Sequence, residues 1–230
     1  MKPRVAILVS YYNGMKFMPL KLKNLSEQTI IDQCETIFID ANSKQGEIKL
    51  VKEFAKNHKT KILLADTRIT LYKAWNWGIE ESSTRYICQS NIDDILAPNA
   101  IELMADFLDD NPNIGLVYPR SYMIHGAPRP WGCGGQQVKT DESLGALGPF
   151  TMWRRGLHDA HGVFDKNLRV LGDARWFLKL RKEGVKFAEV QDHLVNFCVR
   201  PDSLERARDG RRLFRSLDEE YLRKHRKRDT

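Results

Sequence analysis

The sequence predicts an α/β protein built on a mostly parallel sheet with helices on both faces. Three observations support this fold class. Between residues 5 and 98, apolar runs of strand length alternate with segments of helical periodicity. The first run, Val5–Ser10, is continuous, as expected for a strand buried on both faces. Each run ends in turn-forming residues, and parallel neighbours need the crossover connections that this order supplies.

The expected elements follow in chain order. The strands of the first half are Val5–Ser10, Thr36–Ile39, Ile62–Ala65 and Tyr86–Cys88. The helical patterns between them contain Leu20 to Gln28, Glu47 to Asn57, and Trp75 to Ile79. After Pro98 we expect a helix over 100–108 with Asn99 as its N-cap, then strands at Ile114–Tyr118 and Phe150–Trp153.

Polar clusters follow the ends of the four strands expected in the first half. In a parallel sheet these ends meet at one edge, where open α/β sheets bind their ligands. The sequence therefore predicts a nucleotide-type pocket at that edge. The clusters are Tyr11–Asn13, Asp40–Ser43, Asp66–Arg68 and Asn91–Asp94.

Asp93 and Asp94 stand side by side where the Tyr86–Cys88 strand ends. Adjacent carboxylates at the end of a buried strand are costly unless a positive group lies between them. Mg²⁺ or Mn²⁺ held by one or two carboxylates keeps open positions for substrate phosphates. The pair therefore predicts a site for a metal-bound nucleotide, with both aspartates as metal ligands. The alternative is a polar turn in which Asp94 or Asn99 caps a helix.

Two common phosphate-binding motifs are missing from the sequence. No GxGxxG follows the first strand, and GxxxxGK[ST] does not occur. This argues against most dehydrogenases and P-loop NTPases. A pocket with paired aspartates and no glycine-rich loop suggests that a metal ion neutralises the diphosphate of the ligand.

Composition indicates a soluble, cytoplasmic protein of 230 residues with one large domain. The apolar core of the N-terminus, Val5 to Val9, is too short for a signal peptide or a membrane span. The four cysteines are far apart and form no CxxC pair, so neither a disulfide framework nor a zinc site is suggested.

Most of the formal net charge of +7 lies near the C-terminus. The segment from Arg200 to Arg228 contains eleven Lys and Arg and six Asp and Glu, which gives it a net charge of +5. The rest of the chain is nearly balanced in charge, so we expect no nucleic-acid-binding face on the main domain. We divide the chain into a domain over 1–203 and a basic helical extension over 204–230. The apolar stripe of that extension is Leu213, Phe214, Leu217 and Tyr221.

Three roles remain open for the extension. It packs on the domain, or carries basic residues to a bound diphosphate, or brings the protein to an anionic membrane or polymer as a peripheral contact.

Five segments in this order resemble the family-2 glycosyltransferases, inverting enzymes of the GT-A fold that use nucleotide-diphosphate sugars. The segments are VAILVSYYNG, FIDANS, AWNWGIE, SNIDDILAP and GDARWFLKLRKEG. The resemblance covers roughly residues 5–203 and implies a Rossmann-like sheet. It divides the domain into a nucleotide-binding half, 1–98, and an acceptor-binding and catalytic half, 99–203.

The resemblance also assigns roles to single residues. Asp173 is expected to be the catalytic base, and Asn91 and Asp93 to stand at the ends of the DxD motif that holds ribose and metal. Arg200 is the candidate diphosphate contact. With the polar clusters described above, the candidate donor-binding residues are Ser10, Tyr12, Asn13, Asp40, Asn42, Arg68, Asn76, Asn91, Asp93 and Arg200.

Three positions depart from the family pattern. Ala41 replaces an acid that often binds the uracil ring, which weakens the inference of a uridine nucleotide. Asn91 replaces the first acid of DxD, and Gly172 replaces the acid that usually precedes the base. Asp93 and Asp94 still provide two acids for a metal ion.

The segment from His125 to Gly148, rich in Gly and Pro, corresponds to a region that helps bind the acceptor in this family. Trp131 is expected either to stack on a sugar ring or to anchor the loop by packing. Trp153, in the strand expected beneath the acceptor site, is the second candidate for a contact with the acceptor. His158, Asp159 and His161 form HDAH, for which packing is favoured over zinc because no third ligand has suitable spacing.

The resemblance implies transfer of a sugar, with inversion, to a hydroxyl of a glycan, a lipid-linked or another acceptor. Asp173 removes the hydroxyl proton, and a divalent ion stabilises the leaving diphosphate. Two alternatives stay open: a nucleotidyltransferase of similar architecture, and a catalytically inactive GT-A domain that acts as a binding module.

Overall fold

A computed structural model describes residues 2–138 and 147–200 of the chain. The predicted extension over 204–230, with its apolar stripe, lies outside the described residues. None of the helices within the two described ranges is both long enough and apolar enough to cross a membrane.

Strands and helices alternate through the first half, as the sequence predicts. The strands are β1 (Val5–Tyr11), β2 (Cys34–Asp40), β3 (Thr60–Leu64), β4 (Tyr86–Gln89), β5 (Ile95–Leu96), β6 (Leu116–His125), β7 (Gln136–Val138), β8 (Met152–Arg154) and β9 (Phe187–Val199). The helices are α1 (Met18–Ser26), α2 (Ile48–Phe54), α3 (Leu71–Glu80), α4 (Ala100–Asp110), α5 (Gly156–His161) and α6 (Gly172–Lys182), with a short 3₁₀ turn at Ile31–Gln33.

One sheet joins the strands in the order β3-β2-β1-β4-β8-β6-β9-β5, and β7 pairs with β6. The first four strands are parallel, which confirms the predicted α/β class. The second half is mixed: β8 runs antiparallel to β4 and β6, and β5 antiparallel to β9. The parallel arrangement predicted for the first four strands is therefore observed, and the antiparallel strands follow β4 in the chain. Antiparallel neighbours need no crossover helix, so patterns of alternating strands and helices do not reveal them.

The strands of the sheet alternate their side chains between two cores. On β1, Val5, Ile7 and Val9 belong to the core under α1, α2 and α4. Ala6 and Leu8 belong to the opposite core, under α3 and α6. This period of two explains why β1 reads as a continuous apolar run, since both of its faces are covered.

Helix α1 buries a polar face as well as an apolar one. Its buried residues are Met18, Lys21, Asn24 and Leu25, whereas Leu20 and Leu22, which we expected in the apolar stripe, are only partly buried. Asn24 exchanges two hydrogen bonds with the backbone of Leu96, at 2.8 and 2.9 Å. The amide of Gln28, just after the helix, donates to the carbonyl of Ala97 at 2.9 Å. The polar face of α1 thus holds the short strand β5 in place. A strand of two residues forms few ladder hydrogen bonds, so side chains of α1 bond the remaining backbone groups.

Candidate functional site

A cleft of about 390 Å³ opens at the carboxyl edge of β1 and β4, beside the start of α3. It lies where the edge rule for parallel sheets predicts a ligand site. Of the candidates named from the sequence, the cleft brings together Ser10, Tyr12, Asn13, Arg68, Asn91, Asp93, Asp94 and Arg200. Phe17 and Phe197, which no pattern in the sequence singled out, contribute to its apolar lining.

Tyr12 and Arg68 form a stacked pair at the cleft. The guanidinium carbon of Arg68 lies 3.2 Å from the centre of the Tyr12 ring, and Tyr12 is 43% exposed. Burial lowers the pKa of Arg68, and the nearby Arg169 adds to this effect. An exposed aromatic ring backed by a cation offers a flat surface on which a planar ring can stack.

Asn13 joins the loops that follow β1 and β2. Its backbone is left-handed, with φ of 49°. Its backbone N–H donates a hydrogen bond to the hydroxyl of Ser43 at 3.0 Å. The backbone amide of Lys44 donates in turn to Oδ1 of Asn13 at 2.8 Å. The two loops therefore form one wall of the cleft.

Asp40 and Asn42 support this wall from outside the cleft lining. The buried Asp40 carboxylate accepts a hydrogen bond from the amide of Ser43 at 2.6 Å. The side-chain amide of Asn42 donates to the carbonyl of Asp66 at 2.6 Å. Both residues position the loop, whereas Ala41, which lies between them, is the one that lines the cleft.

The cleft contains an ion pair between Asp93 and Arg200. The guanidinium Nη2 and Nε of Arg200 lie 2.7 and 3.1 Å from Oδ2 of Asp93. The side chains are 17% and 16% exposed, so the pair is largely shielded from water. Arg200 also packs over the ring of Phe17, at 4.6 Å from its centre.

The structure does not support Asp94 as a metal ligand. Its side chain is buried at the base of the cleft, and both of its carboxylate oxygens accept hydrogen bonds within the protein. Oδ2 accepts from the amide of Asn91 at 2.8 Å, and Oδ1 from the backbone amide of Cys198 at 2.9 Å. Burial raises the pKa of Asp94 well above its usual range. Asp94 thus joins the acidic loop, residues Asn91–Asp94, to β9. The spacing of two adjacent acids could not distinguish this role from metal binding.

Lys21 lies beneath the acidic loop and was missed in the sequence, where it appears as one charge within a helical pattern. Its side chain is fully buried, and its ammonium group donates to the Ser90 hydroxyl at 2.9 Å and to the carbonyl of Asp94. Burial lowers the pKa of Lys21 to about 8, although the neighbouring aspartates oppose this shift. A buried cation below the loop partly balances the charge of its two acids.

Asp173 is the second residue of α6, not its N-cap. The N-cap position belongs to Leu171, whose backbone is left-handed with φ of 59°. Oδ1 of Asp173 accepts a hydrogen bond from the hydroxyl of Tyr72 at 2.9 Å. Burial raises the pKa of Asp173, and the bonds from Tyr72 and from backbone amides oppose that shift. Asp173 is not among the residues that line the cleft, but its partner Tyr72 follows Leu71, which does line it.

Asn76 does not reach the cleft, contrary to the expectation from the resemblance. Its side-chain amide donates to the carbonyl of Phe164 at 2.8 Å, and its oxygen accepts from the amide of the same residue at 3.1 Å. With both polar atoms used in this way and the residue buried, Asn76 joins α3 to the segment before α6.

Trp153 lies in the core, so the expectation that it contacts an acceptor was wrong. It is fully buried, and its indole N–H donates to Nε2 of His158 at 2.9 Å. Because Nε2 accepts, Nδ1 carries the proton and donates to the carbonyl of Gly162 at 3.1 Å. Burial lowers the pKa of His158 to about 4. The first histidine of the HDAH segment therefore belongs to an aromatic core, where Trp176 stacks on it at 4.4 Å.

Trp131 is partly buried and lies 6.3 Å from the ring of Tyr122. The ring of His193 also stacks on Tyr122, with ring centres 4.4 Å apart. The three rings form a small aromatic group on the half of the molecule expected to bind an acceptor.

Comparison with known proteins agrees with this architecture. The model for "Glycosyl transferase family 2" matches residues 6–162. The chain is similar to a chondroitin synthase of Escherichia coli, 27% identical over 116 residues, which are 50% of this chain and 17% of that protein. It is also similar to an uncharacterized glycosyltransferase of Methanocaldococcus jannaschii, 25% identical over 126 residues, or 54% and 43% of the two proteins. The chain thus spans less than half the length of these relatives.

Solved structures share the whole described fold. TarS 1–349 of S. aureus, in complex with UDP-GlcNAc, superposes with a TM-score of 0.77 at 16% identity, covering 95% of this chain and 66% of that one. A mannosyltransferase of Pyrobaculum calidifontis, in complex with GDP-Man and Mn²⁺, gives 0.69 at 19% identity, covering 94% and 61%. The fold is therefore that of the GT-A glycosyltransferases, as predicted. Because the family model matches more than half of its length, the chain belongs to glycosyl transferase family 2.

Proposed function

We propose that the protein transfers a sugar from a nucleotide-diphosphate sugar to an acceptor hydroxyl with inversion at the anomeric carbon. The observation that carries this proposal is the cleft itself. Loops from β1, β4 and the start of α3 meet at one edge of the sheet, with an exposed aromatic ring at one side and the Asp93–Arg200 pair at the other.

The donor would lie along this cleft. Its base would stack near Tyr12 and Arg68, beside Asn13, and its ribose near Asn91. Arg200 would meet the diphosphate, because a guanidinium matches phosphate oxygens with two parallel hydrogen bonds. Since Arg200 already pairs with Asp93 through Nε and Nη2, the cation is held at the cleft before the donor arrives.

The donor set of the cleft fits a divalent ion through one carboxylate. Arg200 contacts Oδ2 of Asp93, and among the described residues Oδ1 of Asp93 has no partner. Mg²⁺ and Mn²⁺ are commonly held by one carboxylate together with substrate phosphates. Asp93 would therefore hold the ion, and Asp94 would not. A bound ion would supply charge stabilisation to the leaving diphosphate.

Asp173 is the proposed general base. Base catalysis needs a carboxylate with enough proton affinity to accept the acceptor's hydroxyl proton, and burial raises the pKa of Asp173 in that direction. Attack on the face opposite the leaving diphosphate then inverts the anomeric carbon. Trp131 remains the proposed acceptor contact, through stacking on a sugar ring. A glycan, a lipid-linked or another hydroxyl acceptor is compatible with this arrangement.

The test is a thermal-shift screen of UDP, GDP, UDP-GlcNAc and GDP-mannose, each with and without Mn²⁺. A ligand that binds only the native state raises the melting temperature by mass action. Donors that stabilise the protein are then incubated with it, and the released nucleotide is identified. A nucleoside diphosphate supports glycosyl transfer, whereas pyrophosphate indicates a nucleotidyltransferase. Binding without turnover indicates an inactive domain that serves as a binding module.

A further inference from the structure

Tyr72 is a buried residue that no assignment above uses in the reaction. It is 2% exposed, and its ring packs between Trp75 and Phe164, with ring centres 5.5 and 5.9 Å away. Its hydroxyl donates to Oδ1 of Asp173 at 2.9 Å. The ring is thus fixed by packing, and its one polar atom is directed at the carboxylate.

Gly172 provides the space that this ring occupies. A Cβ atom at residue 172 would lie 2.7 to 2.9 Å from three carbon atoms of the Tyr72 ring, closer than real Cβ atoms approach. Any side chain at this position would displace either the ring or the start of α6. The acid that usually stands before the base in proteins of this pattern is therefore sterically excluded here.

We propose that Tyr72 is a positioning residue for Asp173, and that Gly172 is required because it lets the Tyr72 ring reach the carboxylate. This inference rests on the proposed function of Asp173 as the base. One phenol, held by Trp75 of α3 and by Phe164, then fixes which carboxylate oxygen is free to face the acceptor.

Tyr72 is the main side-chain partner of Asp173, because the arginines nearby in the sequence interact with other residues. Arg175, on the same helix, pairs with Asp165 at 3.4 Å, and Arg169 lies near Arg68. The remaining bonds to the carboxylate come from the backbone amides at the start of α6. A hydrogen bond from a neutral phenol stabilises the charged carboxylate, so its removal should raise the proton affinity of Asp173.

The experiment compares Tyr72→Phe with the wild type in two readouts. The first is the pH titration of the Asp173 carboxyl carbon, followed by NMR in protein labelled at aspartate and assigned with Asp173→Asn. The second is the pH profile of kcat/KM for hydrolysis of UDP-GlcNAc and GDP-mannose, with water as the acceptor. We expect the midpoint of the titration and the acidic limb of the profile to move up by about one pH unit.

Tyr86→Phe is the matched control. Tyr86 is another buried tyrosine whose hydroxyl donates to a carboxylate, Oδ1 of Asp109 at 2.6 Å, but it lies away from the cleft. Its loss should leave both readouts unmoved. A purely structural role for Tyr72 would reduce the folded fraction without shifting either midpoint, and unchanged midpoints in Tyr72→Phe would overturn the inference.

Gly172→Ala tests the steric half of the inference with the hydroxyl still present. The added methyl group should push the ring away and move the same two midpoints upward. Gly156→Ala should not, because Gly156 has open space around it and no left-handed backbone. Normal midpoints in folded Gly172→Ala protein would contradict the role of Gly172. If the wild type hydrolyses neither donor, the proposed function fails for those donors, while the NMR titration still decides whether Tyr72 controls Asp173.

Discussion

At the scale of single residues, the two adjacent acids after β4 have different environments. Asp93 faces the cleft and pairs with Arg200, whereas Asp94 is buried and bonded to Asn91 and to β9. The roles of the two residues therefore separate through burial, which spacing alone does not report.

Asp93→Ala should abolish the Mn²⁺-dependent part of donor binding and leave the fold intact. The reason is that Arg200 contacts only Oδ2 of Asp93, whereas both carboxylate oxygens of Asp94 accept hydrogen bonds within the protein. Isothermal titration of the stabilising donor, with and without Mn²⁺, measures the effect. Asp106→Ala, which removes an exposed acid paired with Arg4, is the control. An undiminished Mn²⁺ effect in Asp93→Ala would move the metal site elsewhere.

Asp173→Asn should leave the melting temperature and donor affinity nearly unchanged while turnover falls by roughly 10² to 10⁴, the usual contribution of general-base catalysis. Asparagine keeps an oxygen that accepts the bond from Tyr72 but cannot take a proton. Turnover is measured as nucleoside diphosphate released at saturating donor. Asp165→Asn, which alters the exposed acid paired with Arg175, is the comparison, and wild-type turnover in Asp173→Asn would exclude Asp173 as the base.

At the scale of elements, β1, β2 and β4 could be predicted because they are buried on both faces and contain apolar runs. Strand β3 is only partly buried, but its apolar run at Ile62–Ala65 still revealed it. Strand β9 could not, since its outer positions are polar and its sequence does not resemble a buried strand. The pairing of β8 between β4 and β6 depends on contacts distant in sequence, which local patterns do not contain. The carboxyl edge of the sheet was predicted correctly, because the rule for parallel strands needs only strand order.

Helix α1 also shows that a local sequence pattern does not reveal contacts with distant parts of the chain. Its spacing predicted an apolar stripe, but Lys21 and Asn24 face the acidic loop and β5. Lys21 donates to the carbonyl of Asp94, and Asn24 donates to the carbonyl of Leu96. Polar residues on a buried face are interpretable only when the backbone they satisfy is known.

Lys21→Met should lower the free energy of unfolding by about 1–3 kcal/mol, because it leaves the Ser90 hydroxyl and the Asp94 carbonyl without their buried donor. Donor affinity should fall as well, since the acidic loop loses its support. Urea denaturation and donor titration measure the two effects. Lys23→Met, on the exposed side of the same helix, should change neither, and a Lys21→Met protein with wild-type stability and affinity would show that the loop is held by other contacts.

At the scale of the whole molecule, stability should depend on pH through His158. Its pKa is about 4 in the folded protein, below the ordinary value of 6.5, so the unfolded chain binds the extra proton more readily. Stability is therefore full above pH 6.5 and declines as the pH falls toward 4, by about 3 kcal/mol for a shift of this size. Urea denaturation at a series of pH values measures the decline.

His158→Asn should flatten the pH dependence between pH 6.5 and 4, even if it lowers stability at neutral pH. His58→Asn is the control, because His58 is partly exposed and lies in another part of the molecule. If the slope in this range is the same in wild type and His158→Asn, other groups govern acid stability.

Removal of residues 204–230 separates the roles that the sequence leaves open for the basic extension. If its apolar stripe packs on the domain, we expect a lower melting temperature, because each buried large apolar side chain contributes roughly 1.5–3 kcal/mol. If it meets an anionic surface, we expect unchanged melting and lost sedimentation with phosphatidylserine vesicles. Loss of donor affinity alone would favour a contact with the diphosphate.

The histidine in the aromatic core also gives the protein an optical signal. His158 lies between the indoles of Trp153 and Trp176, stacked on the second at 4.4 Å and bonded to the first. A proton gained there would place a cation against two of the five tryptophans of the chain. Intrinsic fluorescence should therefore report protonation of this core directly, so that acid-induced opening near the start of α6 can be followed without a label.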